Sequence, residues 1–241
     1  MEEVSAVKVR IKFSKEGPVK FLGHLDTMRY FQKAIRRAQI PVAFSGGYSP
    51  HMIMSFASPL GVGVESMGEY FDMELAETIP TAKITTRLNE VMCEGFSVLH
   101  TVQVEDGKAS KAMSLVAAAD YLVTFREGKE PEISWKERVE EFLAQPQILI
   151  EKKTKRSEKQ VDIRPFIYRM EIREHGLFLM LASASANYTK PEQVMEAFAS
   201  WLGTELAPFA CQIKRLEVYA DVGTEEAAKF VPLEALGEDI E

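Results

Sequence analysis

Cysteine is nearly absent: Cys93 and Cys211 are the only two in 241 residues. Two thiols so far apart build neither a disulfide framework nor a zinc site from spacing. A four-iron cluster, which takes about three or four thiolates, is excluded from this chain as well. Both thiols are expected to be buried. No stretch approaches the roughly eighteen uninterrupted apolar residues of a membrane span. The opening Met1-Glu2-Glu3 is not the basic segment followed by an apolar core that marks a secretory signal. The expected location is therefore the cytoplasm, without membrane contact. Histidine is also scarce, at four residues, and no third ligand joins His24 and His51 at a recognisable spacing, so neither metal nor cofactor is expected.

What is present is enough apolar material, 46% of residues, to fill one large domain or two compact ones. The net charge of -7 conceals an uneven distribution. Residues 8–37 hold nine Lys/Arg against two acids, and residues 151–173 hold eight against four. These are two basic segments on an acidic background that includes a tail after Tyr219, and such segments point to a polyanion as partner.

Val7 to Phe13 alternates apolar and basic residues, the period of a half-buried strand. From His24 to Gln39 the residues Leu25, Met28, Phe31, Ile35 and Ala38 recur at steps of three and four, with Arg29, Lys33, Arg36 and Arg37 together on another face. This predicts an amphipathic helix with a cationic stripe. A short strand from Met52 to Ala57, an alternating strand from Glu69 to Glu77, a helix through Ile84 and Leu88 and a strand from Phe96 to Val104 complete a β-α-β-β-α-β order. Beyond residue 107 the pattern resumes. A strand runs from Tyr121 to Phe125, a helix capped by Ser134 and Glu137 follows, and a strand starts at Ile148. A hairpin turns at Glu174-His175-Gly176, Thr189 and Glu192 cap a further helix, and a last strand runs from Gln212 to Ala220. Trp135, Trp201, Phe13, Phe71, Phe142 and Phe198 are expected to be packing residues. The expected fold is α+β, two ferredoxin-like (βαββαβ) units in tandem at 1–107 and 108–220, the second with one extra strand, followed by an acidic tail at 221–241.

Several runs stand out together: Phe21-Leu22-Gly23-His24-Leu25-Asp26, Arg36-Arg37-Ala38, Ser45-Gly46-Gly47-Tyr48-Ser49-Pro50-His51, Pro59-Leu60-Gly61-Val62-Gly63-Val64-Glu65-Ser66, and Lys152-Lys153-Thr154-Lys155-Arg156 continuing to Asp162-Ile163-Arg164-Pro165. On these motifs the chain resembles the radical-SAM-linked protein family, found alone or fused behind cobalamin-binding radical-SAM proteins. Gly23 stands where that family's pattern leads one to expect serine, and glycine caps a helix nearly as well. The resemblance implies a radical-SAM enzyme as partner and a connection to RNA modification.

Four groups of residues are candidates for function. Arg29, Lys33, Arg36 and Arg37 suit the neutralisation of phosphates. The loop from Ser45 to His51 offers hydroxyls, two glycines and the aromatic Tyr48 for holding an anion or stacking a base. Lys152, Lys153, Lys155, Arg156, Lys159 and Arg164 form a second basic block able to reach a phosphate backbone. His24, Tyr48 and His51 are the candidates for proton transfer if the chain is itself an enzyme. The leading expectation is an accessory RNA-binding protein without catalysis of its own. The alternatives are an RNA-processing enzyme and a protein-docking module whose basic face meets an acidic partner.

Overall fold

The computed structural model describes residues 7–107, 110–153, 158–224 and 226–241, without the side chains of 152, 153 and 158. The fold is mixed α/β with mostly antiparallel strands. It divides into two compact units, one running to Ala117 and resuming at Glu217, the other spanning Ala118–Leu216.

The first unit opens with β1 (Val7–Lys15), a 3-10 turn (Gly17–Phe21) and α1 (His24–Arg37). Then come β2 (Met54–Phe56), β3 (Glu65–Leu75), α2 (Thr81–Asn89), β4 (Phe96–Val104) and the single turn α3 (Ala112–Leu115). Its strands lie in the order β4-β1-β3, with β2 also paired to β3. Antiparallel register sets Ile11 opposite Phe71 and Val9 opposite Met73, so the apolar residues of β1 and β3 share one face. Phe31 and Ile35 of α1 and Ile84 and Leu88 of α2 close over that face and are fully buried. Phe13 lies 4.5 Å from Phe31 and 5.8 Å from Phe71, centroid to centroid.

Strand β1 is not half-buried, as its alternation predicts, but buried on both faces. The same register places Arg10 opposite Asp72 and Lys12 opposite Tyr70, and these polar groups meet one another instead of water. The helix face also differs from expectation. Leu25 is 58% exposed, and Thr27 and Ala34 join Phe31 and Ile35 in the core.

The unit boundary lies ten residues beyond the expected 107 because the connection is tied down. The Ser110 carbonyl accepts from Arg10, and the Ala112 N–H donates to Asp72. The C-terminal segment likewise belongs to the first unit and is not a separate tail. The 3-10 turn Leu233–Leu236 buries Leu233, and Glu238 exchanges both backbone hydrogen bonds with Gln103 of β4 at 2.7 and 3.0 Å. A Cβ on Gly237 would lie 2.3 Å from the Gln103 carbonyl, so only glycine lets the chain approach β4 this closely.

The second unit begins with β5 (Val116–Phe125), which starts in the first, and continues through α4 (Val139–Leu143), β6 (Leu149–Lys153), β7 (Glu158–Asp162), β8 (Ile167–Arg173), β9 (Gly176–Ala182), α5 (Pro191–Trp201) and β10 (Cys211–Asp221). Strand β10 runs back into the first unit, where β11 (Phe230–Pro232) pairs with it. The order here is β10-β5-β9-β8, and β6 and β7 form a two-stranded sheet of their own. The predicted hairpin at Glu174–Gly176 is present, with Arg173 opposite Gly176. Phe142 and Phe198 are core residues, 4.9 Å apart, and Trp135 is buried with them. The Ser134–Glu137 capping box does not form, because a 3-10 turn (Lys136–Arg138) precedes α4. Helix α5 starts one residue later than expected: Lys190 is the N-cap and Gln193 accepts its N–H.

Candidate functional site

The nine cations of residues 8–37 fall into two populations. Five belong to β1 and the turn after it and are engaged within the protein. Lys8 pairs with Asp106 at 2.7 Å, and Arg10 meets both carboxylate oxygens of Asp72 at 2.8 and 3.2 Å. Lys12 bridges Glu217 and Glu234, Lys15 donates to the Leu22 carbonyl at 2.6 Å, and Lys20 pairs with Glu65 at 3.0 Å. The other four, on α1, are all exposed. Arg29 has an exposed 3.4 Å partner in Asp26, a contact of little energetic weight. Arg37 donates to the Val91 carbonyl at 3.1 Å and lies over the Tyr30 ring. Among the described residues no side-chain hydrogen bond or ion pair engages Lys33 or Arg36. Residues 29, 33, 36 and 37 span about 100° of the helix surface, and no acid interrupts that arc after Asp26.

The Ser45–His51 loop is held closed at its base. Ser45 N–H donates to the His51 carbonyl at 2.9 Å, and the Ser45 hydroxyl lies 2.8 Å from His51 Nδ1 and accepts from the His51 N–H. Gly47 takes a φ of +98°, open to glycine at little cost, whereas Gly46 does not. Tyr48 projects from this loop with its ring fully exposed. Among the described residues no hydrogen bond or ring contact joins His24 to His51. His51 is held by Ser45, whereas His24 packs edge-on against Phe56 at 5.4 Å.

His24 instead lines a recess of about 10 Å³ with Lys15, Thr27, Phe56, Ser58, Leu60 and Glu69. That volume is about one water. Lys15, Thr27 and Glu69 are buried, and the Thr27 hydroxyl has no hydrogen-bond partner among the described residues. A larger hollow of about 490 Å³ opens beside Arg10, Gln103, Ser110 and Leu236. Arg10 directs its guanidinium to Asp72 and to the carbonyls of Leu233 and Ser110, which leaves it poorly disposed toward an outside anion.

In the second basic block, Lys155 and Arg156 lie outside the described residues, as do the side chains of Lys152 and Lys153. Lys159 is exposed on β7. Arg164 is turned inward, donating to the Leu143 carbonyl at 2.6 Å and the Ile167 carbonyl at 3.1 Å, so it holds α4 and β8 instead of facing a phosphate. Cys93 is exposed, against expectation, because α2 ends at Asn89 and leaves it in the turn before β4. Cys211 is half-buried, and burial pushes its thiol up to about 11.

Sequence reasoning missed the charged cluster on the far face of β1. Burial would lower the Lys12 ammonium, but the Glu217 and Glu234 carboxylates beside it raise it above its ordinary value. Burial would raise the Glu234 carboxyl, but Lys12 and His100 bring it below the usual range. Burial and the neighbouring Glu217, 2.6 Å from its hydroxyl, push Tyr70 far upward. The signal was present in β3, where Tyr70, Asp72 and Glu74 alternate with Phe71, Met73 and Leu75 as the cations of β1 alternate with its apolar residues. Sequence reasoning also missed the exposure of Phe21, Leu25 and Val62.

A family model described as "Uncharacterized protein conserved in bacteria (DUF2344)" matches residues 8–191. No curated protein matches the chain. Among solved structures, the crystal structure of a Cbf5-Nop10-Gar1 complex is similar over 87% of this chain and 48% of that one, at 12% identity and a TM-score of 0.44. This chain thus spans about half the length of that relative.

Proposed function

For this chain, which belongs to the family of uncharacterized proteins conserved in bacteria that matches residues 8–191, we propose an accessory RNA-binding role. In this reading it presents RNA to a separate radical-SAM enzyme. The single observation that carries RNA binding is the solvent-facing row Arg29, Lys33, Arg36 and Arg37 on α1, left outside the internal pairing that absorbs the cations of β1. Exposed cations such as these release counterions when they meet phosphates, so binding falls steeply with salt. Tyr48, fully exposed, and Lys159 extend the proposed contact set. The radical-SAM partner rests on the sequence motifs alone. The tandem ferredoxin-like reading is part of the same proposal, supported by the strand orders β4-β1-β3 with β2, and β10-β5-β9-β8.

The test is RNA binding by the purified chain across a salt series, with Lys33→Ala and Arg36→Ala combined. The expected outcome is a linear fall of log K with log salt, whose slope shrinks by about 1.4 for two lost single-strand phosphate contacts. Binding that is absent, or insensitive to both salt and the double variant, rejects the reading. Anaerobic affinity purification from native cells tests the enzyme partner: recovery of a radical-SAM enzyme supports it, and its absence from repeated eluates counts against it.

A second reading, an RNA-modifying enzyme, is favoured by the recess at His24, where a titratable ring, a buried lysine, a buried glutamate and an unpartnered threonine hydroxyl converge. Turnover of an RNA by the isolated chain, lost in His24→Ala and retained in His51→Ala, supports it. The absence of turnover on every RNA class removes it.

A further inference from the structure

We propose that the N-terminal end of α1 carries a landing site for an unpaired nucleobase of single-stranded RNA, at the head of the helix's cationic row. The inference rests on the RNA-binding reading above and gives it a substrate class. Phe21, Leu25 and Val62 are large apolar side chains left 64%, 58% and 64% exposed. Exposed apolar residues scattered singly are ordinary, but the backbone gathers these three. Phe21 ends the 3-10 turn just before the Gly23 N-cap, and Leu25 sits in the first turn of α1. The Gly63 N–H donates to the Lys20 carbonyl at 2.9 Å, which brings neighbouring Val62 to the same end. Lys20 Nζ lies over the Phe21 ring at 5.6 Å and pairs with Glu65, which steadies the ring while much of it still faces water.

Helix phase links this platform to the cations. Leu25, Arg29 and Lys33 are spaced by four residues and Arg36 follows eleven residues after Leu25, so all four share one outward face about 16 Å long. Of the two acids at its head, Asp26 is paired with Arg29 and Glu65 with Lys20. An aromatic and aliphatic platform leading into a cationic row suits a strand whose bases are unstacked and whose phosphates are accessible. A duplex, with its bases stacked inside, could use only the cations.

The experiment compares the full chain with Phe21→Ala and with Lys33→Ala combined with Arg36→Ala, binding a single-stranded oligouridylate and an RNA hairpin duplex across a salt series. Phe21→Ala is expected to weaken oligouridylate binding about tenfold at unchanged salt slope and to leave the duplex unaffected. Because Phe21 is exposed, its unfolding midpoint should match that of the parent chain. In Phe21→Trp, the added indole fluorescence should be quenched by oligoadenylate and not by duplex. If Phe21→Ala binds single strands as the parent does while the lysine–arginine double variant still lowers the slope, the nucleobase site is wrong and the RNA reading stands. If the parent chain shows no salt-dependent RNA binding, both fall. If Phe21→Ala leaves RNA binding intact but abolishes self-association or capture of a protein from RNA-free extract, the platform is a protein contact and the inference is overturned.

Discussion

Strand β1 and helix α1 lie side by side in sequence and are similarly rich in cations, yet the fold uses them in opposite ways. In β1, Lys8, Arg10 and Lys12 alternate with core residues, and the register with β3 and β4 leaves them little contact with solvent. Each therefore acquires a carboxylate partner, buried for Arg10 and Lys12 and at the surface for Lys8. In α1 the same residue types recur at helical spacing on the face turned from the sheet, and they stay in water. A count of positive charge over residues 8–37 thus overstates what is available to a polyanion, because five of the nine cations are already engaged by carboxylates or backbone carbonyls of the protein.

The largest effect is expected where the contrast is sharpest. Arg10 and Asp72 are about 1% and 2% exposed, and Asp72→Ala should cost the first unit about 3–5 kcal/mol by stranding a buried guanidinium. Arg10→Met combined with Asp72→Leu should recover only part of that loss, because the Ala112 N–H and the Leu233 and Ser110 carbonyls lose their side-chain partners, and urea unfolding of single and double variants measures both. Next, Lys12→Met should cost about 2 kcal/mol, the worth of a charged hydrogen bond, and should leave Glu217 and Glu234 to repel each other.

A smaller effect lies in pH. Glu234 titrates below its ordinary 4.5 in the folded chain, so its contribution is complete above that value and is lost as pH falls through the folded value. Lys12 titrates above its ordinary 10.5, so its contribution is complete below that value and is lost as pH rises through the folded one. Thermal midpoints should therefore be flat across neutral pH and fall at both ends, with both limbs reduced in Lys12→Met. The smallest stability effect belongs to α1: Lys33→Ala with Arg36→Ala should shift unfolding by no more than about 0.5 kcal/mol in a denaturant titration. A larger loss would mean that the row is structural, and the contrast with β1 would collapse.

The helix His24–Arg37 was legible because Phe31 and Ile35 recur at its period and Pro41 stops the pattern nearby. The hairpin at Glu174–Gly176 was legible because a turn former separates two apolar runs. The outward position of Arg29, Lys33, Arg36 and Arg37 followed from the same period. The partnership of Arg10 with Asp72 was not legible, since a strand pattern gives its alternation but not its register or what covers its second face. Nor were the different partners of His24 and His51, a phenylalanine of β2 and a serine at the base of the loop, because both contacts form only in the fold. The inward turn of Arg164 was hidden for a similar reason: its acceptors are backbone carbonyls, which leave no mark in the residue pattern.

Residue order alone set the alternation of β1, the helix phase that keeps four cations of α1 together, and the presence of two thiols far apart in the chain. These are local properties, set by side-chain spacing along one element. It took the assembled fold to fix which cations reach water, that Leu25 and Phe21 lie exposed at the head of α1, and that the C-terminal segment pairs with β10 through Phe230–Pro232 and with Gln103 of β4 through Glu238. Those outcomes depend on which surfaces meet across the sheet, and burial makes a charge find a partner only once that meeting is fixed.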